Sequence, residues 1–262
     1  MALMRPGRAI AAVALALAAM HGPAAVRAED GADALLPDLQ MAPPTDFSIE
    51  RRPKGGRWLR FETTVVNRGA GVFDVYGFDA GADADATDST YDYAVTQRIQ
   101  DSAADGGWAD HSTAATMFYQ GDGHNHWHVE GLQLWQLSFE QTIDQPGDVL
   151  RTGKKIGFCF WDNYQLPGAG PRHYLPSTTS ACLETEGTVP MGLSVGWGDT
   201  YPAGITFQYI DIGGLPYGDY WLTVTADPDS EFLESSESNN TTQEKIRISR
   251  KGVTVLETPP WP

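Results

Sequence analysis

Three histidines stand on alternate positions in "GDGHNHWHVEG" (121–131), at His124, His126 and His128, in a chain that holds only six. In a β-strand, successive side chains point to opposite faces, so these imidazoles would face one way. On a straight strand, same-face neighbours stand about 7 Å apart, so convergence on one ion requires a bend. Gly121, Gly123 and Gly131 supply that freedom on both sides. Imidazole suits copper, zinc, nickel and iron, and three nitrogens leave a coordination position for water, oxygen or substrate. The plainer reading is three surface histidines with no joint role. Spacing alone does not choose the metal.

Cys159 and Cys182 are the only cysteines. In an oxidising compartment they can form one bridge, closing a loop of about 24 residues and worth about 3 kcal/mol. Two unpaired core thiols are the alternative, and the even count favours the bridge.

The elements that must hold these residues read as strands. "RWLRFETTVVNRGAG" alternates Leu59, Phe61, Thr63 and Val65 before an Asn-Arg-Gly turn, and "YAVTQRIQ" with "DSAADGGW" reads as a strand entering a hairpin. "LQLWQLSF" alternates Leu132 and Leu134, then shifts phase to Leu137 and Phe139, which predicts a bulge. "KKIGFCFWD", "ITFQYIDI", "GDYWLTVTAD" and "EKIRISR" are further strands. The pattern predicts a mainly β fold, an antiparallel β-sandwich core with long irregular loops. One loop region, 79–105, begins with the acidic run "DAGADADATDSTYD" (79–92) and is expected to be mobile. A second, 163–199, is rich in glycine and proline, and the cysteine bridge would lie at its start. The tail 256–262, "ETPPWP" at its core, is expected to be unstructured.

Length and composition limit the setting. Arg5 and Arg8, the apolar run "AIAAVALALAAM" and the small residues before Glu29 read as a signal peptide, 1–28. Twelve apolar residues are too few to span a bilayer, so no membrane insertion is expected after cleavage, and the chain is read as secreted or periplasmic. Residues 29–262 read as a single domain. Without the leader's three arginines, 15 basic residues face 34 acidic ones, a net charge of −19. Such a surface repels nucleic acid and anionic lipid and attracts cations, amines and divalent metals among them. Solubility of an exported protein is the plainer reason for the acidity.

"GHNHWHVEG", "KKIGFCFWDN", "GWGDTYPAGITFQYIDIGGLPYGDYWLTVTADP" and "FLESSESNN", in that order, resemble the catalytic domain of the lysyl oxidase family over residues 37 to 250. The resemblance implies a secreted copper amine oxidase with His124, His126 and His128 on the copper site. It also implies lysine tyrosylquinone, made by joining a lysine amine to an oxidised tyrosine ring. The family lysine lies three residues before a Phe-Cys pair, here Lys155, and the tyrosine ends an Asp-Thr-Tyr triplet, here Tyr201. Such coupling needs a neutral amine, which partial burial provides. Taken by themselves, Lys155 is an ordinary strand-end cation and Tyr201 a packing aromatic. Lys154 is the rival lysine and would point to the opposite strand face.

The implied reaction is oxidative deamination of primary amines, peptidyl lysine or small amines, to aldehydes, with ammonia and hydrogen peroxide released. Dioxygen and a cationic amine or lysine-containing polypeptide would be its partners, and a monomer is expected. Family members place a further histidine after the copper motif as the base. Here the stretch is "EGLQLWQLSF", so Glu130 is the first substitute to try, with Asp199 and His173 behind it. "FLESSESNN" also resembles a family segment that joins a Pro-Asp-Leu segment around calcium. That implies Asp38, the Leu39 carbonyl, Glu234, Asn239 and Asn240 as oxygen ligands, with Ser236 in place of a family aspartate. Two other function classes compete. A noncatalytic Ig-like adhesion module would have no need of Lys155 and Tyr201, and a zinc hydrolase activating water beside Glu130 would not need Tyr201.

Overall fold

The computed structural model describes residues 34–79, 92–101, 107–120, 125–139, 148–175 and 182–261, all within one unit, Gly31–Pro262. In chain order the strands are β1 (Ala34–Leu35), β2 (Leu39–Met41), β3 (Thr45–Arg51), β4 (Arg57–Asn67), β5 (Phe73–Phe78) and β6 (Asp92–Asp101). Next come β7 (Trp108–Gln120), β8 (His126–Glu130), β9 (Gln133–Ser138), β10 (Val149–Thr152), β11 (Gly157–Phe158) and β12 (Tyr164–Gln165). The last six are β13 (Thr188–Leu193), β14 (Trp197–Tyr201), β15 (Ile210–Asp211), β16 (Gly218–Ala226), β17 (Thr241–Ser249) and β18 (Gly252–Glu257). No α-helix occurs among the described residues, so no helix there is long and apolar enough to cross a membrane.

The strands form three antiparallel sheets. One runs β11-β8-β7-β6-β5-β13 with β1 on β6, and a second runs β10-β9-β16-β17-β18. The third runs β12-β14-β4-β15, with β2 and β3 also on β4. Period-2 alternation explains why they stack: Leu59, Phe61, Thr63 and Val65 of β4 are buried, as are Tyr220, Leu222, Val224 and Ala226 of β16. A chain of rings crosses the core from Phe61 to Trp135 (5.3 Å), Phe158 (6.2 Å from Trp135) and Tyr201 (5.3 Å from Phe158). Each such ring contributes about 1.5–3 kcal/mol by burial alone.

Several expectations need correction. In β9 the buried residues are Gln133, Trp135, Leu137 and Ser138, and the register shift falls on the partner β10, between Val149 and Arg151. Gln133 is tolerated inside because its Oε1 accepts from Thr63 Oγ1 (3.0 Å) and Trp135 Nε1 (3.2 Å). "ITFQYIDI" is ordered but only Ile210 and Asp211 are strand. Turns closed by Ile205 N–H to Pro202 O and Gln208 N–H to Ile205 O, with Phe207 at φ 62°, occupy the rest. "KKIGFCFWD" yields only Gly157–Phe158, because the Cys159 carbonyl bonds the Tyr201 hydroxyl instead of a neighbouring strand.

The 79–105 loop region contains β6, an interior strand paired with β5 and β7, while residues 80–91 lie outside the described residues. The tail is also placed. Glu257 ends β18, the Thr258 hydroxyl donates to buried Glu244 (2.6 Å), and the Arg68 guanidinium lies 4.7 Å from the Trp261 ring centroid.

The 163–199 segment carries β12, β13 and the start of β14, and a buried carboxylate anchors it. Asp162 accepts hydrogen bonds from the backbone N–H groups of His173 (3.2 Å), Tyr174 (3.0 Å) and Ser194 (2.8 Å) and from the Ser194 hydroxyl (2.7 Å). Beside it the Tyr174 ring lies so close to Gly192 that a Cβ there would stand 2.3 Å from the ring. The Tyr174 hydroxyl then donates to Asp74 (2.6 Å), which Arg98 grips with both nitrogens. Internal hydrogen bonds therefore do the work that helices or long strands would do elsewhere.

Candidate active site

Strand β8 carries His126, His128 and Glu130 on one face and Trp127 and Val129 on the other. The two imidazole centroids lie 4.4 Å apart, closer than straight-strand spacing. Asn125, immediately before the strand, has φ 50°, a left-handed backbone that bends the approach. His128 is buried and stacks on Phe118 (5.6 Å), while on the opposite face Trp127 stacks on Tyr93 (4.0 Å). His124 lies outside the described residues.

β11 pairs with β8 and connects this pair of histidines to the second half of the site. Gly157 stands opposite Glu130 and Phe158 opposite Val129. A Cβ on Gly157 would lie 2.5 Å from Phe118 Cζ and 2.9 Å from His128 Cβ, so only glycine lets the strands approach this closely. Two residues earlier the chain is irregular, and its two lysines diverge without needing opposite strand faces. Lys154 is exposed, whereas Lys155 turns inward with Nζ 5.0 Å from the Phe158 ring centroid and 5.4 Å from that of Tyr201. Burial pushes the Lys155 ammonium pKa down to about 8, against the opposing pull of the Asp199 carboxylate.

β14 supplies the other partners. Asp199 and Tyr201 share a face, opposite Val65 and Thr63 of β4, and both are buried. The Tyr201 hydroxyl donates to the Cys159 carbonyl (3.0 Å). Burial raises the Tyr201 phenol well above its ordinary range, and the Asp199 charge adds to this. Burial raises Asp199 too, with Tyr201, Lys155 and Asn163 pulling the other way. Asn163 spans the site's edge: its Nδ2 donates to Asp199 and its Oδ1 accepts the Thr200 N–H (2.7 Å).

The cysteines form a disulfide, and it connects the halves. The Cys182 carbonyl accepts the Trp127 N–H (2.8 Å) on the histidine strand, while the Cys159 carbonyl accepts Tyr201. An amine, a phenol ring and a carboxylate thus share one buried site, and two imidazoles lie across the adjoining strand pair. Over residues 80–258 the chain matches the family model described as lysyl oxidase. The chain belongs to the lysyl oxidase family.

Among curated proteins, lysyl oxidase homolog 4 of Mus musculus is 26% identical over 229 residues, 84% of this chain and 26% of that protein. Lysyl oxidase homolog 2 of Homo sapiens is 28% identical over 119 residues, 45% of this chain and 14% of that protein. Lysyl oxidase homolog 2A of Danio rerio is 26% identical over 124 residues, 47% of this chain and 15% of that protein. The chain therefore spans about a quarter or less of the length of these relatives.

Within this lysyl oxidase family chain, the candidate bases separate clearly. Glu130 is exposed at the end of β8 and accepts from the Thr116 hydroxyl (3.2 Å). His173 is exposed, and its backbone N–H groups it with Asp162 and Ser194. Asp199 is the carboxylate beside Lys155 and Tyr201.

A second cluster joins the start of the described chain to its end. Asn239 Nδ2 donates to both Asp38 oxygens (2.9 and 3.1 Å), and Asn240 Nδ2 donates to Glu234 (3.0 Å). The Leu39 N–H donates to Glu234. Two further acids, which the sequence motif does not mark, join the cluster. Carboxylate oxygens of Asp227, Glu234 and Glu237 lie within 4.8 Å of one another. Glu237 stands next to Ser236, where the family aspartate is missing, and Asp227 comes from the end of β16, a neighbour that no local motif announces. Burial, with smaller contributions from Glu237 and Asp227, pushes Glu234 up to about 9.

Proposed function

We propose that the chain is a secreted copper-dependent amine oxidase, converting primary amines to aldehydes with a quinone made from its own Lys155 and Tyr201. The observation that carries this is the Lys155 amine held 5.4 Å from the Tyr201 ring centroid in a buried site. A flexible lysine stem can close that gap, and a pKa of about 8 leaves far more of the amine neutral than an ordinary lysine would have. An exposed ammonium and a distant phenol, as in an adhesion module, would have neither property.

His124, His126 and His128 would hold the metal, and the two described imidazoles fit, since they converge to 4.4 Å on one strand face. Copper bound there would supply the redox chemistry that oxidises the Tyr201 ring and turns over dioxygen. The protein's own side chains do the rest. Partial burial raises the neutral share of Lys155 Nζ and holds it over the ring. A substrate reaching the same place as an ammonium ion must lose a proton before its nitrogen can attack a carbonyl, and later one from the adjacent carbon. Asp199 is the group that takes these protons, on burial and on its place beside Lys155 and Tyr201, in preference to Glu130. Asn163 holds that carboxylate in position. The acidic surface draws cationic amines towards it.

The test is peptide mass spectrometry after copper loading. The expected result is a covalent link between the peptides bearing Lys155 and Tyr201, with hydrogens lost and one oxygen gained. Full copper occupancy with both peptides unmodified would refute the assignment.

Calcium is proposed for the second cluster. Asn239 Oδ1 and Asn240 Oδ1 are buried without a hydrogen-bond partner among the described residues, beside carboxylates that repel one another. Rotating either amide would present that oxygen where the NH2 now bonds a carboxylate, and a hard oxygen-rich shell suits calcium. At 100 times its dissociation constant, calcium is expected to stabilise the fold by about 2.7 kcal/mol, raising the melting temperature by roughly 5–10 °C. Calorimetry with and without a chelator measures this, and Glu234→Gln should remove the response.

A further inference from the structure

The net charge conceals a segregated surface. Although the chain carries −16 overall, four cations, Arg51, Arg57, Arg250 and Lys251, line one groove of about 360 Å³ between β3 and the β17–β18 turn. Arg151 and Lys154 line a second cleft of about 510 Å³ with Gly56, Asp211 and Gly213. The two adjoin, because Arg57 Nη2 donates to the Ile212 carbonyl (3.1 Å) and Arg151 Nη2 to the Gly213 carbonyl (3.3 Å).

The carboxylates nearby are already engaged. Glu50 is held by Arg52 and Arg60, and Asp211 accepts the Gly213 N–H (2.8 Å). Among the described residues, none of the six groove cations lies within ion-pair distance of a carboxylate. Arg57 gives the most direct sign of an absent partner. The Ile212 and Leu215 carbonyls fix its Nη2, the Tyr217 ring lies 4.7 Å beneath it, and its Nη1 is buried without a hydrogen-bond partner among the described residues. A guanidinium held this way stays fixed beneath the groove wall and contributes its positive charge to it.

We propose that this strip binds an anionic polysaccharide, with sulfate or carboxylate groups on the exposed Arg51, Lys251 and Lys154 and the adjoining arginines adding to the field. Two features select that partner. The site is a pair of adjoining grooves on a chain of net charge −16, so a thin flexible chain can follow it where the larger contact area of a duplex or a planar bilayer would meet repulsion. Single-stranded nucleic acid would need free aromatic faces. The two grooves hold one exposed aromatic, Tyr217, and the Arg57 guanidinium already lies against its ring.

Fluorescence anisotropy of the full chain with labelled heparin, polyuronate, a single-stranded oligonucleotide and anionic vesicles tests this. Saturable binding to a polysaccharide at low salt is expected, weakened about tenfold by raising salt from 50 to 200 mM. The double variant Arg51→Ser, Lys251→Ser, both exposed positions, should bind at least about fivefold more weakly. Lys245→Ser, a cation paired with Glu257, should bind as the parent does. No saturable polysaccharide binding, equal weakening in both variants, or tighter binding to the oligonucleotide or vesicles would each overturn the proposal.

Discussion

Tyr201→Phe chain loaded with copper is expected to oxidise no primary amine above background, a loss on the order of 10⁴-fold or more. Lys155→Ala should lose as much, and the double variant no more, because the two side chains would act as a single covalent unit. Neither change should unfold the protein. Phenylalanine keeps the Tyr201 ring against Phe158 and gives up one hydrogen bond to the Cys159 carbonyl, worth about 1 kcal/mol.

The same pair predicts a pH profile for cofactor formation. The reactive amine is the neutral one, and at a pKa of about 8 roughly one in eleven is neutral at pH 7, against about 3 in 10,000 at an ordinary lysine value. Cross-linking followed by mass spectrometry should therefore accelerate about tenfold per pH unit below 8 and level off above it. Asp199 works against burial here, since its negative charge favours the ammonium form. Asp199→Asn should move the midpoint to lower pH. A midpoint near that of free lysine would show that Lys155 is not held in the dry pocket on which the oxidase reading depends.

The largest stability effect is expected far from the histidines, at Asp162. Asp162→Ala would leave the backbone N–H groups of Tyr174 and Ser194 and the Ser194 hydroxyl without their acceptor around a fully buried position, while the His173 N–H keeps Ser194 Oγ (2.8 Å). At about 1–3 kcal/mol for each unsatisfied donor, offset by relaxation and water entry, a loss of about 3–5 kcal/mol is expected. The melting temperature would fall by roughly 10 °C. Asp162→Asn retains one acceptor oxygen and should fall between variant and parent. The next residue is Asn163, which orients Asp199 and caps Thr200, so the alanine variant should also lose amine oxidation at temperatures where it remains folded. A chain with Asp162→Ala that melted like the parent would show that the 163–199 segment is held by something else.

Local periodicity was a sound guide wherever a strand buries one face. The alternation in β4 and β16 is visible in the sequence because pleating sends every second side chain to the core. It misled where side-chain hydrogen bonds replace ladders. "ITFQYIDI" alternates well, yet Gln208 enters the core to bond the Phe61 carbonyl and the Thr63 hydroxyl (both 3.1 Å), and turns take the place of strand. Within the 79–105 region, acidity suggests a loop throughout, whereas the alternation of "YAVTQRIQ" marks the interior strand β6 (Asp92–Asp101). The tail was read by its prolines, although Thr258 and Trp261 find partners on β17 and at Arg68.

Residue types and order along the chain determined the inventory of the site: alternate histidines, a lysine ahead of Phe-Cys, a tyrosine after Asp-Thr, and two cysteines that could join. The histidines and cysteines follow from chemistry that needs particular atoms at particular offsets, whereas the lysine and the tyrosine are marked by the resemblance to the lysyl oxidase family. Only the tertiary structure decided how those atoms are tuned and what accompanies them. Burial depends on strands remote in sequence, so neither the lowered Lys155 pKa nor the placing of Asp199, and not Glu130, beside Lys155 and Tyr201 could be read locally. The same holds for Asp227 beside Glu234 and Glu237, and for cations from three separate segments gathered on a chain of strongly negative net charge. Net charge sums over position, whereas Coulomb interaction and desolvation depend on distance and depth.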